Sequence, residues 1–385
     1  MVGGFERVVA RIEAILRADG HHLTRLTVDM APPRREVAGL PISQDAWETA
    51  PEYFPYLVGR DGFDRLDTRR YDVVVSTQPP SFSHRHPRHL AVFYHHHRVF
   101  YDLEDLYVRA GFAKDPEVHR RAGELIRRLD QPRLEAVGHI LAPSRAVAGR
   151  LARFNQITDV GFQHAGIGVG SESAATSGPP GTGSVLCIGR HEFPKRAELA
   201  VAAAHLLPHL QFTVVGSGGR LAWARSIDHR LSLAGADPNG LTDDELWCNT
   251  GQGAPDVPEG LQTNVTFAGF VTDDDLLRLN DEAPCVVAPA YDEDYGLTAI
   301  EAMAHGRPVV VCSDGGGLAE LVDHEVTGLV VDPTPAGIAA AVERLTTDRA
   351  LATELGQNGR RRAADLSWAN TAVEIRAGLE TLLQR

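Results

Sequence analysis

The sequence predicts a doubly wound α/β protein of two domains, on three observations. Short β-branched runs alternate with longer amphipathic stretches along most of the 385 residues, the order that builds parallel sheets between layers of helices. Several of these runs are apolar without alternation, as a strand covered on both faces must be. One small, polar stretch rich in Gly and Pro, SESAATSGPPGTGS at 171–184, breaks the pattern near the middle and reads as a flexible linker. The expected organisation is an N-terminal domain over 1–170, a linker over 171–183, a second domain over 184–367, and a closing helix over 368–385. At about 150 residues per domain, the length agrees.

The expected strands are 71–76, 90–94, 139–144, 184–189, 211–216, 264–269, 285–290, 308–313 and 327–332. Helical periodicity marks FERVVARIEAILRA (5–18), KRAELAVAAAHLL (195–207), TDDDLLRLN (272–280), GLTAIEAMAHG (296–306) and AGIAAAVERLTT (336–347). The chain opens on Gly3-Gly4 and a helix, although a strand normally feeds such a glycine turn. Either the sheet lacks that first strand or the true start lies upstream. Residues 235–260 interrupt the second half irregularly and read as a surface insertion, pinned by Leu246 and Trp247.

Composition narrows the function classes. The formal net charge of −13 argues against a phosphate backbone wrapped over a large surface, so no nucleic-acid partner is expected. No apolar stretch approaches the ~18 residues that span a bilayer, and the N-terminus lacks a signal-peptide pattern. The four cysteines form no C-x-x-C pair, and Cys187, Cys285 and Cys312 lie in apolar runs as buried, reduced core residues. A soluble, cytoplasmic protein is the expectation, and the high Ala, Arg and Gly content suggests a bacterial source.

The chemistry concentrates in APAYDEDYGLTAIEAMAHGRPVVV (288–311). A strand ends near Pro289, a loop carries Glu293, and a helix opening at Gly296 carries Glu301. Ligands of open α/β sheets bind at the carboxyl ends of strands, which puts both acids at one crevice. The amides of Gly296, Leu297 and Thr298 sit at a helix start, where unpaired N–H groups attract an anion. A second group is CIGRHEFPKRAEL (187–199), where Arg190 ends a strand and Lys195 falls in the first turn of a helix. Cations there oppose the helix dipole, which makes sense if a phosphate sits between them. Two cations and a set of amides then form a diphosphate clamp.

With these residues in view, the second half resembles the retaining glycosyltransferases of family four, nucleotide-sugar-dependent enzymes of the GT-B fold with two Rossmann-like domains facing across a cleft. The resemblance rests on GRHEFPK (189–195), FTVVGSGG (212–219), VTFAGFVTDDDLL (265–277), EDYGLTAIEAMAHGRPVV (293–310), DGGGLAELV (314–322), TGLVV (327–331) and LGQNGRRRAADLSW (355–368). It spans about 180 residues. A weaker likeness runs through GGFERVVARIEAILRADGH (3–21), YDVVVS (71–76) and APSRAVAGRL (142–151). It implies that Arg190 and Lys195 neutralise the diphosphate of a nucleotide-sugar, that Glu301 accepts from ribose hydroxyls, and that Glu293 holds the donor sugar. It further implies that Phe270 and Val271 border the base, with Gly216 lining the donor cleft and Gly3 and Gly4 approaching the donor. A histidine after an N-domain strand is also implied; the strand register favours His96, with His95 and His97 as alternatives. No cofactor or metal is implied beyond the nucleotide-sugar co-substrate. The acceptor is a hydroxyl of a natural product, carbohydrate or cell-envelope lipid, and the closing helix is expected to cross back to the N-domain.

Simpler readings stand beside these. Asp273-Asp274-Asp275 follows Thr272 as the acidic first turn of a capped helix rather than a metal motif. The histidines at 84, 86, 89 and 95–97 lack the cysteine or spaced acid of a tetrahedral zinc set. GSGGRL (216–221) lacks the third glycine of a dinucleotide fingerprint and reads as a tight turn lining the cleft. The rival functions are a sugar-nucleotide epimerase or phosphorylase of the same fold, and a non-catalytic nucleotide-sugar-binding protein.

Overall fold

The computed structural model describes residues 4–30, 35–166 and 178–384. Gly3 and residues 171–177 of the expected linker lie outside the described residues. The chain divides into two units, Met1–His164 with Ala369–Arg385, and Ala165–Trp368.

The first unit opens with the helix Gly4–Ala18, which buries Val8, Ile12 and Leu16 along one stripe at a spacing of four. A hairpin of β1 (Glu36–Val37) and β2 (Leu40–Pro41) follows. The main sheet is parallel, in the order β3 (Val74–Ser76), β4 (His89–Val92), β5 (His139–Ala142) and β6 (Gly161–Phe162). Every residue of β4 and β5 is buried, and after the opening His89 and His139 both strands are apolar, as two covered faces demand. The helix Arg145–Asn155 covers one face; Ser144 caps it by accepting from the Val147 amide at 3.2 Å. Its Val147 and Leu151 join Phe82, Phe93 and Ile140 in one core. The helix Trp368–Gln384 belongs to this unit from Ala369 onward, with Leu382 packed on Leu90 and Leu141. Arg376 grips Asp19 through two hydrogen bonds of 2.8 and 2.7 Å.

The second unit holds a six-stranded parallel sheet of β7 (Val185–Ile188), β8 (Phe212–Val215), β9 (Val265–Gly269), β10 (Val286–Ala288), β11 (Val309–Cys312) and β12 (Gly328–Val331). The spatial order is β12-β11-β10-β7-β8-β9. From β7 the chain runs outward through β8 and β9, then returns beside β7 as β10 and runs outward the other way. Strand order therefore reverses between β7 and β10, the place where open sheets bind ligands. All nine expected strands are present, and β9, at the edge, alternates buried and exposed residues. The sequence reading missed the short β1, β2 and β6.

Two local expectations are met by the packing. Thr272 caps the helix Asp273–Glu282 by accepting from the Asp275 amide at 3.1 Å, which accounts for the acidic run. All four cysteines are buried free thiols, and burial pushes those of Cys187, Cys285 and Cys312 up to about 12. One expectation is corrected: residues 178–183, read as flexible linker, are fastened to the second unit. Buried Arg307 donates to the carbonyls of Gly178 at 2.6 Å and Pro179 at 2.8 Å, and the Gly183 amide donates to the Glu282 carbonyl at 2.9 Å. Composition marked the segment as linker, but its carbonyls satisfy a buried guanidinium.

The first unit also buries a carboxylate. Asp130 accepts from the hydroxyls of Tyr56 at 2.7 Å and Tyr101 at 2.8 Å, while its second oxygen has no hydrogen-bond partner. Burial raises its pKa to about 6, against the pull of the two tyrosines. A folded-state pKa above the unfolded value means that the native protein holds a proton the unfolded chain has released. Stability from this group is therefore full below about pH 4 and is lost as pH rises through 6. Asp130→Asn is expected to remove this slope. Chemical denaturation between pH 4 and 6 should show the wild type losing ~2 kcal/mol relative to the variant over that interval.

Candidate functional site

The loops that leave the carboxyl ends of β7 and β10 emerge side by side because those strands are paired. Residues 189–196 follow β7, and residues 289–296 follow β10. Lys195 and Glu293, one from each loop, form an ion pair through the lysine ammonium and Oε2. Both side chains keep partial exposure. The expectation for Lys195 needs one correction. The helix begins at Ala197, not at Pro194, so Lys195 stands just ahead of the N-cap Arg196 rather than in the first turn. Its nearest charge is the Glu293 carboxylate. Arg190 is exposed at the start of the same loop.

Backbone bonds tie these loops to their neighbours. The His191 amide donates to the Ser217 carbonyl at 3.0 Å, and the Arg220 amide donates to the His191 carbonyl at 2.9 Å. Gly216, at the end of β8, has φ 127°, and a Cβ there would stand 1.9 Å from the Gly189 carbonyl oxygen. Only glycine admits this approach. On the other side, the Asp292 amide donates to the Asp314 carbonyl at 2.8 Å, Glu293 to Gly315 at 2.9 Å, and Gly317 back to Glu293 at 2.7 Å. The Glu293 backbone is thus clamped to the glycine turn after β11.

Gly296 begins the helix Leu297–Ala304 in the left-handed region, at φ 117°. The amides of Gly296, Leu297 and Thr298 therefore lie at a helix start directly after the Glu293 loop, and Glu301 sits half-buried within the helix. Phe270 follows β9 and is 60% exposed, with Val271 half-buried beside it. Gly4 is the first residue of the opening helix of the other unit.

The three candidate histidines differ in their surroundings. His96 has no exposed surface; its Nε2 meets Asn155 Oδ1 at 2.7 Å, and its ring stacks on Tyr101 with centroids 4.1 Å apart. The strand ends at Val92, so the register places His96 in the aromatic core of the first unit. His95 and His97 are half-buried, and His97 Nε2 meets Glu52 Oε2 at 3.0 Å.

The insertion is anchored as expected, with Leu246 and Trp247 both buried. Its anchor is the ion pair between Arg220 and Glu198, at 2.7 Å and buried on both sides. Arg220 also donates to the carbonyls of Asn249 and Leu246, so its guanidinium ties the insertion to the helix Ala197–His205 that carries Glu198. Burial raises the Glu198 carboxyl pKa, against the lowering effect of Arg220. The sequence reading missed Arg196, which lies beneath the site and is described below. Its signals were a second cation directly after Lys195 and the aspartate opening D-G-G-G at 314.

Residues 258–362 match the family model for glycosyl transferases, group 1. The chain is 41% identical over 113 residues to the D-inositol 3-phosphate glycosyltransferase of Salinispora arenicola, covering 29% of this chain and 25% of that protein. The chain thus spans less than a third of the length of the curated relatives it matches at this level. Among solved structures, sucrose-phosphate synthase from Thermosynechococcus elongatus superposes with a TM-score of 0.66 at 21% identity, over 99% of this chain and 94% of that one. HepE of Anabaena, solved in complex with UDP-glucose, gives a TM-score of 0.54 at 17% identity, over 76% and 73%. The fold is the GT-B fold that the resemblance implied.

The close approach at Gly216 makes one expectation. Gly216→Ala forces the β7 and β8 loops apart and is expected to lower stability by ~2–4 kcal/mol, read as a drop in melting temperature.

Proposed function

We propose that the protein is a retaining glycosyltransferase that moves a sugar from a nucleoside-diphosphate sugar to an acceptor hydroxyl. The observation that carries this reading is the contact between Lys195 and Glu293 where strand order reverses, next to the helix start at Gly296. One cation, one acid and a set of helix amides are what a ligand with a diphosphate at one end and a polyol at the other requires. HepE, similar in fold, was solved with UDP-glucose, which supports the donor class.

The chemistry follows from charge. Breaking the bond from sugar C1 to the diphosphate oxygen leaves negative charge on the leaving group and positive charge on the sugar. Arg190, Lys195 and the amides of Gly296, Leu297 and Thr298 would stabilise the departing diphosphate without a divalent ion. Each well-placed donor of this kind contributes ~3–4 kcal/mol to barrier lowering. Glu293 would accept from the sugar hydroxyls and Glu301 from the ribose, as ionised carboxylates can only accept. Phe270 and Val271 would border the base. The acceptor oxygen would attack C1 on the face the diphosphate leaves, which retains configuration.

No helix among the described residues is long and apolar enough to cross a membrane. The four free thiols suit a reducing compartment, which supports placing the protein in a bacterial cytoplasm.

Arg190→Ala and Glu293→Ala are each expected to lower transfer at least ~100-fold while leaving the melting curve in place. Turnover of a panel of nucleotide-sugars with purified protein is the measurement. Wild-type rates in both variants would refute the site.

A further inference from the structure

Arg196 is an unusual residue. It is not glycine, yet its φ of 57° lies in the left-handed region, and its side chain is 1% exposed. Strain of this kind costs on the order of 1–3 kcal/mol, and a buried charge costs more unless it is well paired. The guanidinium reaches both neighbouring loops. Nε donates to the Pro289 carbonyl at 2.6 Å, at the end of β10. Nη1 and Nη2 fork onto Asp314 at 2.8 and 2.6 Å, just after β11. The planar group lies against the rings of Trp247 and Tyr291, at 5.1 and 5.5 Å from their centroids. Trp247 comes from the 235–260 insertion and also faces Phe193, at 6.1 Å between centroids.

These contacts surround Glu293 without touching it. Pro289 and Tyr291 precede it in its own loop. Asp314 opens the turn whose Gly315 carbonyl and Gly317 amide hold the Glu293 backbone. Arg190 is anchored differently, since its loop is sewn to the β8 turn through His191 and Ser217. Stability alone does not explain a strained, buried cation, because apolar replacements of buried ion pairs are often neutral or better. We propose that Arg196, Asp314 and Trp247 are positioning residues that set Glu293 for the sugar half of the donor and leave the diphosphate half to Arg190, Lys195 and the helix amides. This rests on the donor reading above.

The test uses Asp314→Asn, which keeps the shape of the turn, together with Glu293→Gln and the double variant. Calorimetry measures Kd for UDP, ADP and GDP and for UDP-glucose, ADP-glucose and GDP-mannose. The expected result for Asp314→Asn is about tenfold weaker binding of the sugar-bearing ligand, with the matching diphosphate changed less than twofold. In the Glu293→Gln background, Asp314→Asn should cost less than twofold further, because its effect passes through Glu293. Arg196→Lys should reproduce the Asp314→Asn pattern, since an ammonium cannot span two carboxylate oxygens and a carbonyl. Equal losses for both ligand types, or a full loss persisting in the Glu293→Gln background, overturns the positioning role while the donor reading stands. A wild type that binds no member of the panel overturns the donor reading, and the positioning role falls with it.

Discussion

Pairing β10 against β7 is the constraint on which the site depends. It brings together two loops that lie about a hundred residues apart in the chain. Neither loop carries chemistry alone. Lys195 without Glu293 is a surface cation, and Glu293 without the clamp of Gly315 and Gly317 is an acid on a free loop. The reversal of strand order supplies proximity, and the backbone ladders to β8 and β11 supply rigidity. Both follow from burying unbroken apolar strands on two faces.

Much of this was legible in the sequence. Apolar runs such as VVVCS and VLCIG marked the strands because parallel strands leave no polar face to blur the pattern. The glycine at 296 marked a helix start because a left-handed φ there excludes most other residues. The insertion declared itself by composition, and its pins by their size and apolarity. Less legible were features that depend on distant partners. The helix start after Pro194 was misplaced because Arg196 adopts a conformation that local propensity disfavours, for a guanidinium whose acceptors lie over ninety residues away. The burial of His96 was not legible because a triple histidine run carries no signal of which ring turns inward. Burial decided that, through Asn155 and Tyr101. The short strands β1, β2 and β6 contain two residues each, too few for any periodicity.

Both units bury polar groups that join distant segments. In the first, Asp130 and the tyrosines around it form a network whose charge state follows pH. In the second, the buried cations Arg196, Arg220 and Arg307 each satisfy several carbonyls or a carboxylate and act as fasteners between segments remote in sequence. Each guanidinium replaces what a sheet or helix would otherwise do for loop backbone, which is to give its carbonyls donors.

The fastening of the insertion has a practical consequence. Arg220 and Trp223 grip it near its middle, through the carbonyls of Leu246 and Asn249. Beyond that grip, the stretch from Gln252 to Gly260 is mostly exposed and carries no regular structure. Lengthening an exposed loop costs little chain entropy. A peptide epitope or a fluorophore-bearing cysteine spliced there would ride outside the sheet, which makes that stretch the natural handle for immobilising or labelling the protein.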